Sequence, residues 1–135
     1  MGKQPLVIHG FGDAVGAATG IRDRFEHGHG AAMLDEHGVV LDLTLFTADE
    51  HTVDTALGWA YCFVLNHPQT RRVVLLSAVR ASVRTPREDD LAILRRARKE
   101  FAHCGVEIVD WIQSDGDDIR SLAFTADHDA WGSAA

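Results

Sequence analysis

The chain has 135 residues, of which 46% are hydrophobic and 24% are charged, and its formal net charge at pH 7 is −7. This length predicts one domain with one core, and the negative charge argues against a general nucleic-acid binder. No apolar run approaches the ~20 residues that span a bilayer, so we expect no membrane association. The amino-terminal sequence MGKQPLVIHGFG is too short and too rich in glycine for a secretory signal, and we expect a cytoplasmic protein.

Residues 1–29 are predicted to be a lead-in segment rich in glycine. A short strand at residues 6–11 runs into glycines 10, 12, 16 and 20, but this spacing is not that of a dinucleotide-binding loop. His27 and His29 are each followed by glycine, which favours a loop. A metal site at these two histidines would need further ligands.

Residues 31–46 consist of two apolar runs around the sequence Asp-Glu-His-Gly, which predicts a β-hairpin with its turn at residues 35–38. The segment that follows has apolar residues at helical spacing, which predicts one continuous core-facing stripe. The residues of this stripe are Val53, Ala56, Leu57, Ala60, Tyr61, Val64 and Leu65. Pro68 ends the helix, because proline cannot continue the hydrogen-bond ladder. Cys62, within this helix, and Cys104 have no paired spacing and are expected to be buried free thiols.

Residues 73–79 form a nearly uninterrupted apolar run, which is typical of a strand covered on both faces. A helix follows, with Thr85 as its cap, Pro86 at its first position and Glu88 completing a capping box. Its expected core-facing residues are Leu91, Leu94, Ala97 and Phe101. Gly105 ends this helix in a left-handed turn.

A second hairpin is predicted from strands at residues 106–112 and 119–124, joined by the turn at 114–117. The acidic residues at 115–118 are better explained by this tight turn than by a calcium site. Residues 126–135 are expected to be a flexible tail. The order hairpin, helix, strand, helix, hairpin predicts an α/β fold with a mixed β-sheet and flanking helices.

Three segments resemble the JAB/MPN domain of RadC-type bacterial proteins. MLDEHGVVL is similar to the opening hairpin of that domain, and LFTADEHTVDTALGWAYCFVLN to its next segment and helix. TPREDDLAILRRARKEFAHCGVEIVDWIQSDGDDIRSLAF is similar to its capped helix and closing strands. The resemblance implies a three-layer, cytidine deaminase-like sandwich over residues 30–125.

The family resemblance also implies a zinc-dependent hydrolase site. Family members carry His-x-His-Pro after the central strand and Pro-Ser-x-x-Asp at the next helix, and an upstream glutamate acts on the zinc-bound water. In this chain the two histidines fall on Ser77 and Val79, and only the aspartate is kept, as Asp90. The other positions of the pattern fall on Arg80, Arg87 and, upstream, on Glu26 or His27. Serine is a weak zinc ligand and valine is none, so the resemblance predicts a lost zinc site.

Three arginines lie near the loop where the metal would bind. Their fixed positive charge could replace the cation, with Arg80 or Arg87 paired with Asp90, since a buried carboxylate needs a partner. The alternative is that these arginines are exposed and pair with nothing, and we favour the pairing. The predicted remnant pocket consists of Ser77, Val79, Arg80, Arg84, Arg87 and Asp90. If any metal binds, its candidate ligands are His27, His29 and Asp90.

Three functions remain open at this point. The first, which we favour, is a non-catalytic binding or dimerisation module with no cofactor and no catalytic residue, acting as a homodimer or with a protein partner. The second is a hydrolase of the same fold with a metal site relocated to Glu26, His27, His29 and Asp90. The third is an anion- or nucleic-acid-binding module in the basic stretch 71–99, through Arg71, Arg72, Arg80, Arg84, Arg87, Arg95 and Arg98. Trp59, Trp111 and Trp131 are candidates for a dimer surface, although Trp59 and Trp111 fit a core equally well.

Overall fold

A computed structural model describes residues 28–47, 53–78, 88–115 and 118–122. Within these ranges the chain forms five strands and two helices. In chain order they are β1 (Gly28–Leu34), β2 (Val40–Thr47), α1 (Val53–Asn66), β3 (Arg72–Ala78), α2 (Glu88–Ala102), β4 (Glu107–Ser114) and β5 (Ile119–Ser121). Neither described helix is long and apolar enough to cross a membrane.

The five strands form one mixed sheet in the order β2-β1-β3-β4-β5. β1 runs antiparallel to both β2 and β3, whereas β3 and β4 are parallel and β5 returns antiparallel to β4. A parallel pair requires a crossover connection, and α2 lies in it. The predicted α/β class with a mixed sheet is therefore confirmed.

The first hairpin has the predicted turn. The Asp35 carboxylate accepts hydrogen bonds from the amides of His37 and Val39, and Gly38 has a φ of 81°, which favours glycine. However, β1 begins at Gly28, so His29 lies in a strand and the predicted loop there is wrong. The reason is that Gly28–Leu34 is paired on both sides, with β2 and with β3, and these backbone hydrogen bonds outweigh the low strand propensity of glycine. His27 lies outside the described residues.

Helix α1 has the predicted extent, but its inner face is narrower than predicted. The buried residues are Val53, Ala56, Leu57, Ala60 and Val64. Tyr61 is 37% exposed and Leu65 is 60% exposed, so their assignment to the core is wrong. Both residues lie at the edge of a stripe that is wider than the face in contact with the sheet. Cys62 is also exposed rather than buried, whereas both cysteines are free as expected.

The central strand β3 is buried on both faces, as predicted. One face of the sheet packs against both helices in a cluster that includes Leu75, Leu94, Phe101 and Trp111. The other face carries a second buried cluster of strand residues, among them Val74 and Leu76, and neither described helix contributes to it. The third layer implied by the family resemblance thus stays a prediction.

The second helix ends as predicted in a turn with a left-handed glycine, since Gly105 adopts a φ of 73° three residues after Ala102, the last helical residue. β4 then contains a bulge, since Val73 pairs with Ile108 whereas Val74 pairs with Asp110. Arg98 of α2 donates hydrogen bonds to the carbonyls of Ile108 and Val109, at 3.0 Å each, and so satisfies the backbone at the bulge. The helix start at Thr85 and Pro86 lies outside the described residues.

Candidate functional site

Four polar side chains line up across the sheet at the carboxyl ends of β3 and β4. His29 is paired with Ser77, Ser77 with Gln113, and Gln113 with Arg120. Residues directly opposite each other on neighbouring strands have their side chains on the same face. We call these four residues the polar row. The row includes Ser77, the position at which the resemblance predicts the loss of a zinc-binding histidine.

The hydroxyl of Ser77 has two close protein partners. The indole Nε1–H of Trp111 donates to Ser77 Oγ at 2.7 Å, and Nδ1 of His29 lies 2.7 Å from the same oxygen. Ser77 and Trp111 are each 2% exposed. An indole nitrogen can only donate, so the Ser77 hydroxyl accepts a hydrogen bond from Trp111. Its own hydrogen is then available to donate to Nδ1 of His29. The sequence analysis names Ser77 as a site residue but does not predict these two hydrogen-bond partners.

Asp90 lies in the first turn of α2, and among the described residues Gln113 bonds to its carboxylate. Gln113 Nε2 donates to Asp90 Oδ2 at 3.0 Å, and Gln113 Oε1 accepts from Arg120 Nη2 at 2.6 Å. Burial lowers the pKa of Arg120, and the charge of Asp90 opposes this shift. The amide of Gln113 therefore links a carboxylate with a guanidinium. The predicted pairing of Asp90 with Arg80 or Arg87 lies outside the described residues.

A second carboxylate is buried completely behind this row. Asp110 is 0% exposed, and its oxygens accept hydrogen bonds from the backbone amide of Trp111 and from the hydroxyl of Ser121. Sequence reasoning missed both Asp110 and Gln113. The sequence did contain a signal for them, because each is a polar residue inside the apolar run of β4. A buried polar group needs a hydrogen-bond partner, so such a residue marks a specific contact.

The remaining predicted site residues are only partly within the described ranges. His29, Ser77 and Asp90 are described, and the structure places all three at one end of the sheet. Those outside the described residues are Glu26, His27, Val79, Arg80, Arg84 and Arg87. Among the described residues, no group of three or more histidines, cysteines, aspartates or glutamates is placed to hold a metal ion.

Several cations of the basic stretch are engaged within the molecule. Arg71 donates to backbone carbonyls of the turn before β3. Arg96 forms a salt bridge with Asp54 at 3.1 Å, and Arg98 is bonded to the carbonyls at the β4 bulge. These contacts leave fewer guanidinium groups for an anion than the sequence alone indicates.

Comparison with models of protein families and with curated protein sequences gives no match for this chain. The residues of the site and of the surface therefore carry the functional argument.

The outer side of α1 carries a second feature, an apolar stripe that is exposed in the part of the chain that the structure describes. Gly58, Tyr61, Cys62 and Leu65 recur at i, i+3, i+4 and i+7, and all four are exposed. We call these residues the outer stripe. Three of them line a groove of about 600 Å³ between α1 and α2, whose other wall includes Arg96 and Glu100.

Tyr61 is fixed in this groove by two contacts. Its ring meets Phe101 edge-on, with ring centroids 5.5 Å apart. A hydrogen bond with the thiol of Cys104 raises the pKa of the Tyr61 phenol, and the charges of Cys104 and Glu100 act in the same direction. The ring is therefore held in place although one side of it faces solvent.

Gly58 lies on the exposed side of α1, and no described residue packs against it. A Cβ added at this position would meet no atom within 4 Å. Glycine in the middle of a helix costs about 0.5–1 kcal/mol relative to alanine. The described part of the chain therefore leaves open space beside Gly58.

Proposed function

We propose that this chain is a JAB/MPN-like domain that works by binding protein, with the family's zinc hydrolase site replaced by the polar row. The observation that carries the proposal is the hydrogen bonding of Ser77. The position that would hold a zinc-binding imidazole has a buried hydroxyl, which already has Trp111 and His29 as partners. The observed order of strands and helices is consistent with the segments that resemble the family.

The chemistry of the donor set supports the loss of zinc. A hydrolytic zinc site needs three protein ligands and one open position. Of the three family positions, position 77 has a neutral hydroxyl, position 79 has an isopropyl group, and only Asp90 offers a strong ligand. A cation at Ser77 Oγ would also have to compete with the Trp111 N–H for the serine lone pairs. The Gln113 amide already occupies one oxygen of Asp90.

The proposed mode of action is association with protein, as a homodimer or with a different partner, in the cytoplasm. The outer stripe provides an apolar, uncharged surface beside a groove, which is the usual character of a helix-binding site. This function requires no cofactor.

Zinc content tests the proposal most simply. The full chain, expressed without a histidine tag, is dialysed and analysed by plasma mass spectrometry, beside Asp90→Ala and the matched control Asp89→Ala at the exposed neighbouring position. We expect only traces of zinc, equal in all three proteins. Stoichiometric zinc that resists dialysis and is lost in Asp90→Ala but kept in Asp89→Ala would overturn the proposal.

One contact favours a second candidate function. A serine hydroxyl 2.7 Å from an imidazole nitrogen is the arrangement of an activated nucleophile. Against this, Ser77 is 2% exposed and accepts a hydrogen bond from Trp111, which reduces its nucleophilicity. A fluorophosphonate probe separates the two functions, since covalent labelling at Ser77 requires a reactive, accessible hydroxyl. We expect no labelling of the native protein.

A further inference from the structure

We infer that the outer stripe is a homodimer interface, in which α1 packs antiparallel against α1 of a second copy, with Gly58 facing Leu65 across a two-fold axis between Tyr61 and Cys62. The inference rests on the proposed binding function and names its partner. It is based on the order of side-chain sizes along the stripe, the low charge of this face and the open space beside Gly58.

The order of side-chain sizes along the stripe is self-complementary when read in reverse. Antiparallel pairing about an axis between Tyr61 and Cys62 sets Gly58 against Leu65 of the second copy and Tyr61 against Cys62. Each contact thus brings a small side chain against a large one. Because the axis is two-fold, every such contact occurs twice in the dimer. Parallel pairing would set Gly58 against Gly58 and Leu65 against Leu65, which leaves a gap at one end and crowding at the other.

The space at Gly58 fits an incoming leucine. No atom lies within 4 Å of the position of a Cβ on Gly58, and the residue opens directly on the groove. Leu65, at the other end of the stripe, is 60% exposed and has the size to fill this space. Packing of large side chains into gaps left by small ones is what allows two helices to approach closely.

The face around the outer stripe carries little charge of its own. Residues 55–66 of α1 carry no charge, although the whole chain has a net charge of −7. Two copies therefore meet on this face with little repulsion. The last turn of α1 has no basic residue to balance its partial negative charge. In the antiparallel arrangement this end lies beside the amino-terminal end of the other α1, whose partial positive charge is of the opposite sign.

The area that a dimer requires indicates that both walls of the groove take part. A specific interface buries about 800 Å² on each partner, more than one four-residue stripe provides. The exposed wall of α2, with Arg96 and Glu100, borders the groove and would be covered by the same helix of the second copy. The interface is then a four-helix arrangement formed by two copies of α1 and α2.

Sedimentation equilibrium of the full chain over a range of concentrations tests the dimer. We expect a mass of twice 14.8 kDa for the wild type. Leu65→Lys should be monomeric at concentrations where the matched control Asn66→Lys, an exposed position on the same helix turn but off the stripe, stays dimeric. Circular dichroism melts of the two variants show whether each is folded. A wild type of 14.8 kDa at every concentration would refute the inference.

Disulfide trapping tests the register. In a background of Cys62→Ser and Cys104→Ser, the double variant Gly58→Cys with Leu65→Cys should form a covalent dimer on mild oxidation. Each single cysteine variant should not, because seven residues separate the two positions by about 10 Å along the helix axis. Efficient trapping of either single variant with itself would contradict the antiparallel register.

The two proposals fail in different ways. A chain that holds only traces of zinc yet stays monomeric refutes the homodimer and leaves the binding function with a different partner. A chain with stoichiometric zinc dependent on Asp90 refutes the proposed function whatever its mass.

Discussion

Replacing Ser77 by alanine tests the hydrogen bonds at the centre of the polar row. The hydroxyl is the shared partner of Trp111 Nε1 and His29 Nδ1, each at 2.7 Å. Alanine removes one oxygen atom, so the change in packing is small. The hydrogen bonds of Ser77 to Trp111 and to His29, however, are lost at once.

The expected cost follows from the burial of the two rings. Trp111 is 2% exposed, so its N–H is left unsatisfied away from water, which costs about 1–3 kcal/mol. His29 is half-buried and partly exposed to solvent. The loss of its hydrogen bond with Ser77 should therefore cost about as much free energy as an average hydrogen bond contributes, about 0.5–1.5 kcal/mol. We expect Ser77→Ala to lower the free energy of unfolding by about 2–4 kcal/mol in total. For a domain of this size the melting temperature should fall by about 10 °C.

Urea denaturation of Ser77→Ala, Trp111→Phe and the double variant measures this coupling. Phenylalanine lacks the N–H, so Ser77→Ala should cost less in the Trp111→Phe background. The expected coupling energy between the two residues is about 1–2 kcal/mol. A cost below about 0.5 kcal/mol for Ser77→Ala, within the range of an ordinary surface substitution, would refute the reasoning, as would a coupling energy of zero.

Two further predictions concern α2 and the groove. Arg98→Met keeps the aliphatic stem but leaves the carbonyls at the β4 bulge without their donor, and it should destabilise the protein by about 2–3 kcal/mol in urea titrations. Arg95→Met, at an exposed position of the same helix, should stay within about 0.5 kcal/mol of the wild type, and an equal loss in both variants would disprove the role of the bulge contacts. Tyr61 is the single tyrosine, so its ionisation can be followed by ultraviolet absorbance, with a midpoint above the ordinary pKa of about 10. Cys104→Ala should lower the pKa of Tyr61, and an unchanged midpoint would rule out the thiol hydrogen bond. Because the native phenol keeps its proton where the unfolded one has lost it, stability falls as pH rises above about 10.

Local patterns in the sequence predict most of the secondary structure. The helical spacing of α1, the apolar run of β3 and the glycine after α2 are signals contained in a few neighbouring residues, and all three agree with the structure. These elements also fix the mixed sheet, since a helix between two strands implies a crossover.

The errors arise where a distant part of the chain decides the outcome. His29 is in a strand because β1 has neighbours on both sides, which the sequence His-Gly-His-Gly does not reveal. Leu65 has the spacing of a core residue but lies beyond the reach of the sheet. Local periodicity gives the apolar positions of a helix, but the width of the buried face depends on what packs against it.

The polar row shows the same limit at the site. Ser77 and His29 are 48 residues apart, and Gln113 and Asp90 are 23 apart, so only the register of the strands brings them together. The sequence shows polar residues that interrupt two apolar strands, and the resemblance to the JAB/MPN domain predicts that the zinc ligands are missing. It does not indicate which partners satisfy those residues.

The most direct test of the account is a crystal structure of the full chain grown with zinc, with anomalous diffraction recorded at the zinc absorption edge. We predict no anomalous peak between Ser77 and Asp90, and Ser77 Oγ within hydrogen-bonding distance of both Trp111 and His29. A tetrahedrally coordinated zinc peak bound to Asp90, with the Ser77 hydrogen bonds broken, would contradict the account.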